Sequence, residues 1–411
     1  MVLKDKAILR ELAKRHMELA AADANKDRVK RIKNINSLRP DRPVVWIDEI
    51  PWHEMDIGNA LTLQCTGEEA QHIERYFRRV QYRWKYIQAD MVVEDTYYIH
   101  KHFTSTGIGV EISEDTISFD SNNHIISHHY KNQLSTEDEV EKLKTPVITA
   151  DPDTDRQNLE YIGELLDGIM PVKLRGYNVG FTGWDTIIRL CGVNNMFVGL
   201  YDNPELMHKI TAKFAESELS KMLQMQEQGL LDFNIASLHC TPPYVDGLPA
   251  DDYDGGKVRL KDVWYRGTAQ PFASVSPEMH EEFELQYAKK LMEKCGLVYY
   301  GCCEPLCNKI YLLKKIPNMR KIGVTPWADK QKNAEQIGGG YVYAYKPNPA
   351  LVAGNFNPDA VCREIGDVLE TCLLHKCPAE FVLKDISTVS YKPQNLVDWN
   401  NVVQKTIDKY Y

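Results

Sequence analysis

The stretch SVSPEMHEEFELQYAKKLMEKCGLVYYGCCE, residues 274–304, predicts a helix that is followed directly by a strand. Ser276 can cap the free amides of a helix, Pro277 suits its first turn, and Gly296 suits its end. The apolar residues that recur on one face between them are Met279, Phe283, Tyr287 and Leu291. The run LVYY then predicts a buried strand, so the whole unit is typical of a parallel α/β protein.

The same order of helix and strand recurs along most of the chain. YDNPELMHKITAKF (201–214) predicts another capped helix, and the apolar run LLDFNIASLHC (230–240) predicts the strand that follows it. Three further runs, MRKIGVTPWAD, YVYAYKPNP and AEFVLKDISTV, repeat the strand pattern toward the end of the chain. This alternation, with strands that are apolar on both faces, favours a (β/α)8 TIM barrel over an open doubly wound sheet.

We expect one barrel domain over residues 1–411, with two additions to it. Residues 1–40 are dense in charged residues and alanine, with leucines at helical spacing, and predict an N-terminal helical extension. The segment from about 81 to 130 is rich in β-branched and aromatic residues that alternate with turn signals. It predicts a small β-rich insertion of antiparallel strands.

Charge and composition argue against two classes of partner. The chain of 411 residues has a formal net charge of −9, so it lacks the basic field that holds nucleic acid. No apolar run approaches the roughly 18 residues of a membrane span, and the charged N-terminus is unlike a signal peptide. We therefore expect a cytoplasmic protein with ten reduced cysteines and with neither nucleic acid nor membrane as a partner. A homodimer of the chain is left open.

Polar residues follow several of the predicted strands, where the active sites of barrels lie. His239 and the adjacent pair Cys302 and Cys303 are imidazole and thiol groups of the kind that bind zinc. Neighbouring residues of a strand point to opposite faces, so only one of the two thiols is expected to face inward unless a loop begins between them. Two alternatives stay open, namely that the thiols only pack against apolar surface, or that one is a nucleophile with His239 as its base.

Four long blocks of the chain resemble the uroporphyrinogen decarboxylase superfamily, and specifically its corrinoid-dependent methyltransferase branch. The resemblance covers most of the chain from about residue 40 onward. The blocks are RPVVWIDEIP (42–51), VGFTGWDTIIRLCGVNNMFVGLYDNPELMHKI (179–210), AQPFASVSPEMHEEFELQYAKKLMEKCGLVYYGCCEPL (269–306) and CPAEFVLKDISTVSYKPQNLVDW (377–399). The family fold is a (β/α)8 barrel, in agreement with the alternation of helices and strands.

The resemblance implies methyl transfer from a small methylated donor, such as a methoxylated aromatic compound or a methylamine, to the cobalt of a corrinoid on a partner protein. An O-demethylase is the expected type. The decarboxylases carry an Arg-Gln-Ala-Gly-Arg run where this chain has Asp-Glu-Ile-Pro-Trp (48–52), so decarboxylation of porphyrinogens is not expected. The zinc methyltransferases of the family carry His-x-Cys-Gly where this chain has Gly-Cys-Cys-Glu (301–304), and a cysteine where it has Lys384 and Asp385. The zinc set implied by the family is thus incomplete here.

The resemblance also implies roles for particular residues. Zinc held by Cys303, Cys302 and His239 would activate the leaving heteroatom, and without zinc Glu304 or Glu49 would be its proton donor. The residues expected to contact the substrate are Trp52, Tyr177, Trp184, Lys384 and Asp385. Two other functions are weighed against this one. The first is methyl transfer from a corrinoid to a folate or a thiol, and the second is a non-catalytic barrel that binds a small molecule or a metal.

Overall fold

The computed structural model describes residues 2–39, 41–117 and 127–411, and it is an α/β protein. Its strands are β1 Val44–Ile47, β2 Tyr97–His100, β3 Phe103–Ser105, β4 Glu114–Ile117, β5 Ser127–Tyr130, β6 Ile148–Ala150, β7 Val172–Arg175, β8 Val179–Phe181, β9 Trp264–Gly267, β10 Leu297–Tyr300, β11 Met319–Val324, β12 Val342–Tyr345 and β13 Ala379–Leu383. Its helices are α1 Leu3–Ala21, α2 Asp23–Asn36, α3 Glu68–Tyr86, α4 Glu137–Glu141, α5 Pro152–Leu166, α6 Gly183–Cys191, α7 Val193–Asp202, α8 Pro204–Glu227, α9 Pro277–His280, α10 Gln286–Met292, α11 Ile310–Leu313, α12 Lys330–Ile337, α13 Ala350–Ala353, α14 Pro358–His375 and α15 Gln394–Ile407.

Seven strands form one parallel sheet, in the order β1-β13-β12-β11-β10-β9-β8. Each neighbouring pair is parallel, as the alternation of helices and strands predicts. Within the described residues no pairing joins β1 to β8. The parallel α/β class predicted from the sequence is therefore confirmed, whereas a closed barrel is not shown.

The helix and strand predicted at residues 274–304 form as expected. The Ser276 side chain accepts a hydrogen bond from the Met279 amide and caps α9. One π-helical turn, Glu281–Leu285, joins α9 to α10, and β10 follows after a short connection. The other predicted cap is also present, because Asn203 accepts from the Leu206 amide at the start of α8. Local capping and apolar spacing thus determine both helices.

The main sheet has two different faces. Tyr265 of β9 and Tyr300 of β10 pack on the side of the helices, in the large apolar core. Trp264 and Tyr299, which alternate with them, belong to a smaller cluster on the opposite side. We call this opposite side the inner face. Residues 235–245 contribute to the cluster that covers it.

The inner face buries an ion pair between β11 and β13, the strands on either side of β12. Lys321 of β11 and Glu380 of β13 are both 0% exposed, and Lys321 Nζ lies 2.9 Å from Glu380 Oε2. Lys321 Nζ also donates to the Pro242 carbonyl oxygen at 2.9 Å. Burial lowers the pKa of Lys321, and the charge of Glu380 opposes that change. Each of these two buried charges is therefore stabilised by the other.

The predicted strand at residues 230–240 is wrong. Its only β contact to another segment in the described structure is a single parallel bridge from Leu231 to Tyr177. The polar residues within the apolar run give the physical reason, because Asp232 accepts hydrogen bonds from the amides of Gly176 and Asn234. Such side-chain bonds compete with a strand ladder. The segment instead continues toward the inner face as a loop.

The N-terminal residues form α1 and α2, as the charged and leucine-containing pattern predicts. Residues 81–86 belong to α3 and not to a β-rich segment, because Phe77 and Tyr82 are buried on one face of that helix. The antiparallel pairs are β3 with β6 and β4 with β5, whereas β2 pairs with β7 in parallel. Part of the predicted insertion, residues 118–126, lies outside the described residues. The division into domains stays a prediction.

None of the helices in the described residues is long and apolar enough to cross a membrane.

Removal of one partner of the buried ion pair should destabilise the fold. We expect Lys321→Met to lower the free energy of unfolding by about 3–5 kcal/mol, since it leaves the Glu380 charge buried without a partner. The double variant Lys321→Met/Glu380→Leu should recover much of that loss. Urea unfolding followed by circular dichroism measures both effects. The control is Lys26→Met, whose exposed partner is Asp23, with an expected change within about 0.5 kcal/mol. Equal effects of the Lys321 and Lys26 variants would contradict the prediction.

Candidate active site

Polar side chains from four parts of the chain meet near the carboxyl ends of β1, β10 and β13. Parallel strands place their carboxyl ends at the same edge of a sheet, and active sites of α/β proteins form there. We call the following group the carboxyl-end cluster: Glu49, His239, Cys240, Cys302, Cys303, Lys384 and Asp385. It includes most of the site residues that the sequence predicts.

A chain of polar contacts runs through the two thiols. His239 Nε2 lies 3.3 Å from Cys302 Sγ, which lies 3.6 Å from Cys303 Sγ. Cys303 Sγ also lies 3.4 Å from Asp385 Oδ2. Cys302 is buried and Cys303 is exposed. Cys302 is therefore the inner thiol of the pair, and Cys303 is the outer one.

Lys384 and Glu49 connect the ends of β1 and β13. Lys384 Nζ lies 2.5 Å from Asp385 Oδ2, 3.9 Å from Glu49 Oε2 and 3.8 Å from Cys303 Sγ. The Asp385 amide donates to Glu49 Oε2 at 2.7 Å. Cys240 donates its thiol proton to Glu49 Oε1 at 3.4 Å. One ammonium group therefore lies among two carboxylates and a thiol.

Four residues of the cluster have a left-handed backbone. The φ angles are 50° for Glu49, 43° for His239, 65° for Cys240 and 56° for Asp385. This region is uncommon for residues other than glycine and costs free energy. Such conformations concentrate at functional sites, where the surrounding structure holds them in place. The backbone at this edge is therefore shaped to present these side chains.

Gly301 allows the chain to turn immediately after β10. Its φ angle is 103°, and a Cβ at this position would lie 2.7 Å from Leu306 Cδ1 and 3.2 Å from Gly323 Cα. Only glycine fits such a conformation and such a close approach. Because the strand ends at Tyr300, the alternation of strand faces no longer governs Cys302 and Cys303. Both thiols therefore reach the cluster.

Of the two thiols, Cys302 is the one whose pKa is lowered. The hydrogen bond with Cys303, the hydrogen bond with His239 and the positive charges of Lys384 and Arg266 all lower the pKa of Cys302, against the effect of burial. The bond with Cys302 raises the pKa of Cys303, as do burial and the negative charge of the Cys302 thiolate. These directions favour ionisation of Cys302 while Cys303 keeps its proton.

Glu304 lies beside the cluster but contacts backbone and hydroxyl donors. It is buried, and its carboxylate accepts hydrogen bonds from Thr268 Oγ1 at 2.7 Å and from the Cys302 amide at 2.9 Å. The Ala269 amide lies 3.4 Å from the same group. These contacts hold the loops after β9 and β10 together. The catalytic role predicted for Glu304 stays a prediction, and its contacts are those of a residue that positions Cys302.

The three aromatic residues predicted to bind substrate make other contacts. Trp184 is fully buried in the core and donates its Nε1 proton to the Phe283 carbonyl at 3.0 Å. Tyr177 donates its hydroxyl proton to the Lys101 carbonyl at 2.6 Å. Trp52 packs edge-on against Tyr82. None of these contacts joins an aromatic residue to the carboxyl-end cluster. Trp184 instead fills part of the large apolar core against which α6 packs.

Two charged residues near the cluster were missed in the sequence. Burial raises the pKa of Asp185 to about 7, the negative charges of Glu304 and Cys302 add to this, and Arg266 opposes it. Asp185 lies in the first turn of α6. Arg266 lies within β9, where an arginine inside the apolar run VWYRG was the signal available from the sequence. A charged residue in a buried strand needs a reason to be there.

The arrangement of the thiols does not fit a zinc site. In the part of the chain that the structure describes, no group of three or more His, Cys, Asp or Glu side chains is arranged to hold a metal ion. The positive charge beside the thiols comes from Lys384, whose Nζ lies 3.8 Å from Cys303 Sγ. A zinc ion held by both thiols would lie close to that ammonium group and be repelled by it. The chemistry considered below therefore uses no step through zinc.

Of the comparisons with known proteins, only the one with solved structures gives a match. No protein-family model matches the chain, and no curated protein matches it. Among solved structures, a methyltransferase from Methanosarcina mazei is similar, with a TM-score of 0.48 and 13% sequence identity. The match covers 93% of this chain and 99% of that one.

The charge on Cys302 can be measured directly. We expect the thiolate absorbance near 240 nm that Cys302→Ala removes to be present at pH 6, because a lowered pKa keeps a thiol ionised below the ordinary value of about 8.5. Lys384→Met should move the same absorbance step to higher pH, since it removes a positive charge. The control is Cys191→Ala, because burial raises the pKa of that thiol to about 12. A Cys302-dependent step that appears only above about pH 8 would contradict the assignment.

Proposed function

We propose that this chain is a corrinoid-dependent methyltransferase of the O-demethylase type. It would move a methyl group from a small methylated donor to the cobalt of a corrinoid held by a partner protein. The proposal rests on Asp185, a half-buried carboxyl group in the first turn of α6 whose pKa burial raises to about 7, close enough to Glu304 and Cys302 for their charges to act on it. The four sequence blocks that resemble the family support the same reading.

We extend the proposal to the architecture. The parallel pair of β2 with β7 and the bridge between Tyr177 and Leu231 provide further parallel contacts outside the main sheet. The main sheet has seven strands, so one further strand from these segments, placed between β1 and β8, would complete a (β/α)8 barrel. On this proposal the inner face of the sheet is the barrel interior, and the carboxyl-end cluster lies at its mouth.

The reaction requires help at the leaving group. The corrinoid supplies the nucleophile that accepts the methyl group. The bond between the methyl carbon and the donor oxygen breaks, and the electron pair stays on the oxygen. An alkoxide or phenoxide leaves poorly, so a proton must reach that oxygen as the bond breaks. The enzyme therefore needs a side chain that is still protonated near neutral pH.

Asp185 fits this requirement better than the two glutamates predicted from the sequence. Its pKa of about 7 leaves it partly protonated at neutral pH. Glu304 is occupied by hydrogen bonds from Thr268 and Cys302, and Glu49 by the Asp385 amide. The negative charge on Cys302 would help to keep the proton on Asp185 before the reaction. The ammonium group of Lys384 would offset the negative charges of Asp385, Cys302 and Glu49.

The same edge offers a surface for the corrinoid partner. Trp327 follows β11 and Tyr391 follows β13, and these side chains are 73% and 75% exposed. Exposed large aromatic residues are enriched where proteins bind one another. We propose that the corrinoid protein docks over the loops that carry Trp327 and Tyr391, with the exposed Cys303 beneath it.

A second function is favoured by one contact. His239 Nε2 lies 3.3 Å from Cys302 Sγ, and Lys384 and Arg266 provide the positive charges that lower a thiol pKa. This arrangement is also that of a cysteine nucleophile paired with a histidine. In that case a covalent adduct on Cys302 would form with the substrate, and its mass would be found on the isolated chain.

The principal test measures methyl transfer. The purified chain is incubated with reduced cobalamin and with methoxylated aromatic compounds or methylamines, and the corrinoid absorbance and the demethylated product are followed together. We expect one donor class to react, with no dependence on added zinc or on a chelator. Failure of every donor, or a stable adduct on Cys302, would overturn the proposal. Methyl transfer only to a folate or a thiol would favour the other transferase.

The role of Asp185 predicts a pH dependence. Activity should fall as the pH rises above about 7, because a proton donor with that pKa is lost on ionisation. Asp185→Asn should lower kcat by about 10²- to 10⁴-fold for a poor leaving group and should abolish that fall. The loss should be smaller for a donor whose leaving group is already acidic, such as a nitrophenyl ether. The matched control, Asp367→Asn on the exposed surface of α14, should retain the wild-type profile. An Asp185→Asn variant with unchanged kcat would remove Asp185 from the mechanism.

A further inference from the structure

Arg266 is a buried cation for which the structure provides no acceptor. The residue is 5% exposed, and it lies on the inner face with Trp264, two positions before it on β9. In the described residues Nε, Nη1 and Nη2 are all buried without a hydrogen-bond partner. The guanidinium carbon lies over the Tyr299 ring, 5.2 Å from its centroid. Buried charges and buried donors are normally paired.

Other buried cations of the sheet have acceptors. Lys321 pairs with Glu380, and Lys346 donates to the Tyr299 hydroxyl at 2.6 Å and to the Ala344 carbonyl at 3.0 Å. Lys384 pairs with Asp385. Arg266 differs because all three of its guanidinium nitrogens lack a partner among the described residues.

The acidic groups near Arg266 are held by other residues. Glu304 accepts hydrogen bonds from Thr268 and from the Cys302 amide. Asp185 is bonded to Gln270, and it has a pKa of about 7 despite the opposing charge of Arg266. Neither carboxyl group accepts a hydrogen bond from the guanidinium. No carboxylate of the described residues therefore pairs with this arginine.

We infer that Arg266 is the anchor for a carboxylate of the substrate. A guanidinium group binds a carboxylate through two parallel hydrogen bonds, and burial strengthens them. Arg266 lies two residues before Thr268, which is bonded to Glu304, and Glu304 is bonded to the Cys302 amide. A donor held at Arg266 would therefore lie beneath the carboxyl-end cluster. This inference rests on the proposed function for the identity of the ligand as a methyl donor.

The charges favour one donor class over the other. Arg266, Lys346 and Lys384 are cations near one another, since Arg266 and Lys384 both act on the pKa of Lys346. The charges around these cations are of both signs, since Glu380 and Cys302 raise the pKa of Lys346. The guanidinium of Arg266, which has no acceptor among the described residues, would itself attract a methoxylated aromatic carboxylate and repel a protonated methylamine. A bound carboxylate would also neutralise Arg266, which is the cation that opposes protonation of Asp185. Substrate binding would thus favour the protonated form of the proposed acid.

The test measures binding on the complete chain without corrinoid. The ligands are 4-methoxybenzoate, its neutral amide 4-methoxybenzamide, and trimethylammonium, and the method is isothermal titration calorimetry. We expect wild type to bind the benzoate about 10- to 100-fold more tightly than the amide, and to bind trimethylammonium least. Arg266→Gln should remove the preference for the benzoate, and Arg266→Lys should recover part of it. Arg363→Gln, on the exposed surface of α14, is the matched control and should behave as wild type.

Thermal unfolding of the same variants separates binding from folding. Without ligand, Arg266→Gln should unfold at a temperature equal to or above that of wild type, because it removes a buried charge that has no partner. Benzoate should raise the unfolding temperature of wild type and of the Arg363→Gln variant but not of Arg266→Gln. A lower unfolding temperature for ligand-free Arg266→Gln, or equal binding of benzoate and benzamide by wild type, would overturn the inference.

The binding test and the methyl-transfer test can fail independently of each other. Binding of benzoate through Arg266 without turnover of any donor would retain the anchor and remove the proposed function. Turnover of neutral donors, with the same rate in Arg266→Gln as in wild type, would retain the function and remove the anchor.

Discussion

The common direction of the seven strands is the constraint on which the candidate site depends. Parallel pairing of β1 with β13 aligns Ile47 with Leu383, although the two strands are near opposite ends of the chain. Glu49 therefore meets the Asp385 amide across 336 residues of sequence. Pairing of β9 with β10 aligns Arg266 with Tyr299 in the same way. The cluster cannot form before the sheet is assembled, so a loss of the sheet is also a loss of the site.

The inner face distributes its buried charges unequally. Lys321 and Glu380 compensate each other's charge within the sheet, and Lys321 also donates to the Pro242 carbonyl. Closer to the carboxyl ends, Lys384 has several anionic neighbours and Arg266 has no acceptor among the described residues. Left-handed backbone at Glu49, His239 and Asp385 adds a further cost in the same place. Unfavourable contributions to the folding free energy that concentrate at one edge of a well-packed sheet are expected where residues are selected for function and not for stability.

Local signals explain what could be predicted from the sequence. The caps at Ser276 and Asn203 and the four-residue apolar spacing determine helices that the structure contains. Polar residues after buried strands, such as Glu49, Cys302 and Asp385, are predictable neighbours because parallel strands end at one edge. The roles of these residues, and the division into domains, stay predictions. Residues 230–240 could not be assigned in this way, because hydrogen bonds made by Asp232 override an apolar pattern.

The features missed in the sequence are those that depend on burial in three dimensions. Trp184 and Asp185 are adjacent, yet the tryptophan fills the core while the carboxyl group of Asp185 is near Glu304 and Cys302. The spacing of residues along α6 does not reveal which of these two side chains points toward the site. The two missed charges also act on each other, since Arg266 lowers the pKa that burial, Glu304 and Cys302 raise at Asp185. A ligand that neutralises the arginine would therefore change the protonation of the aspartate without touching it, and this links binding to proton transfer through charge alone.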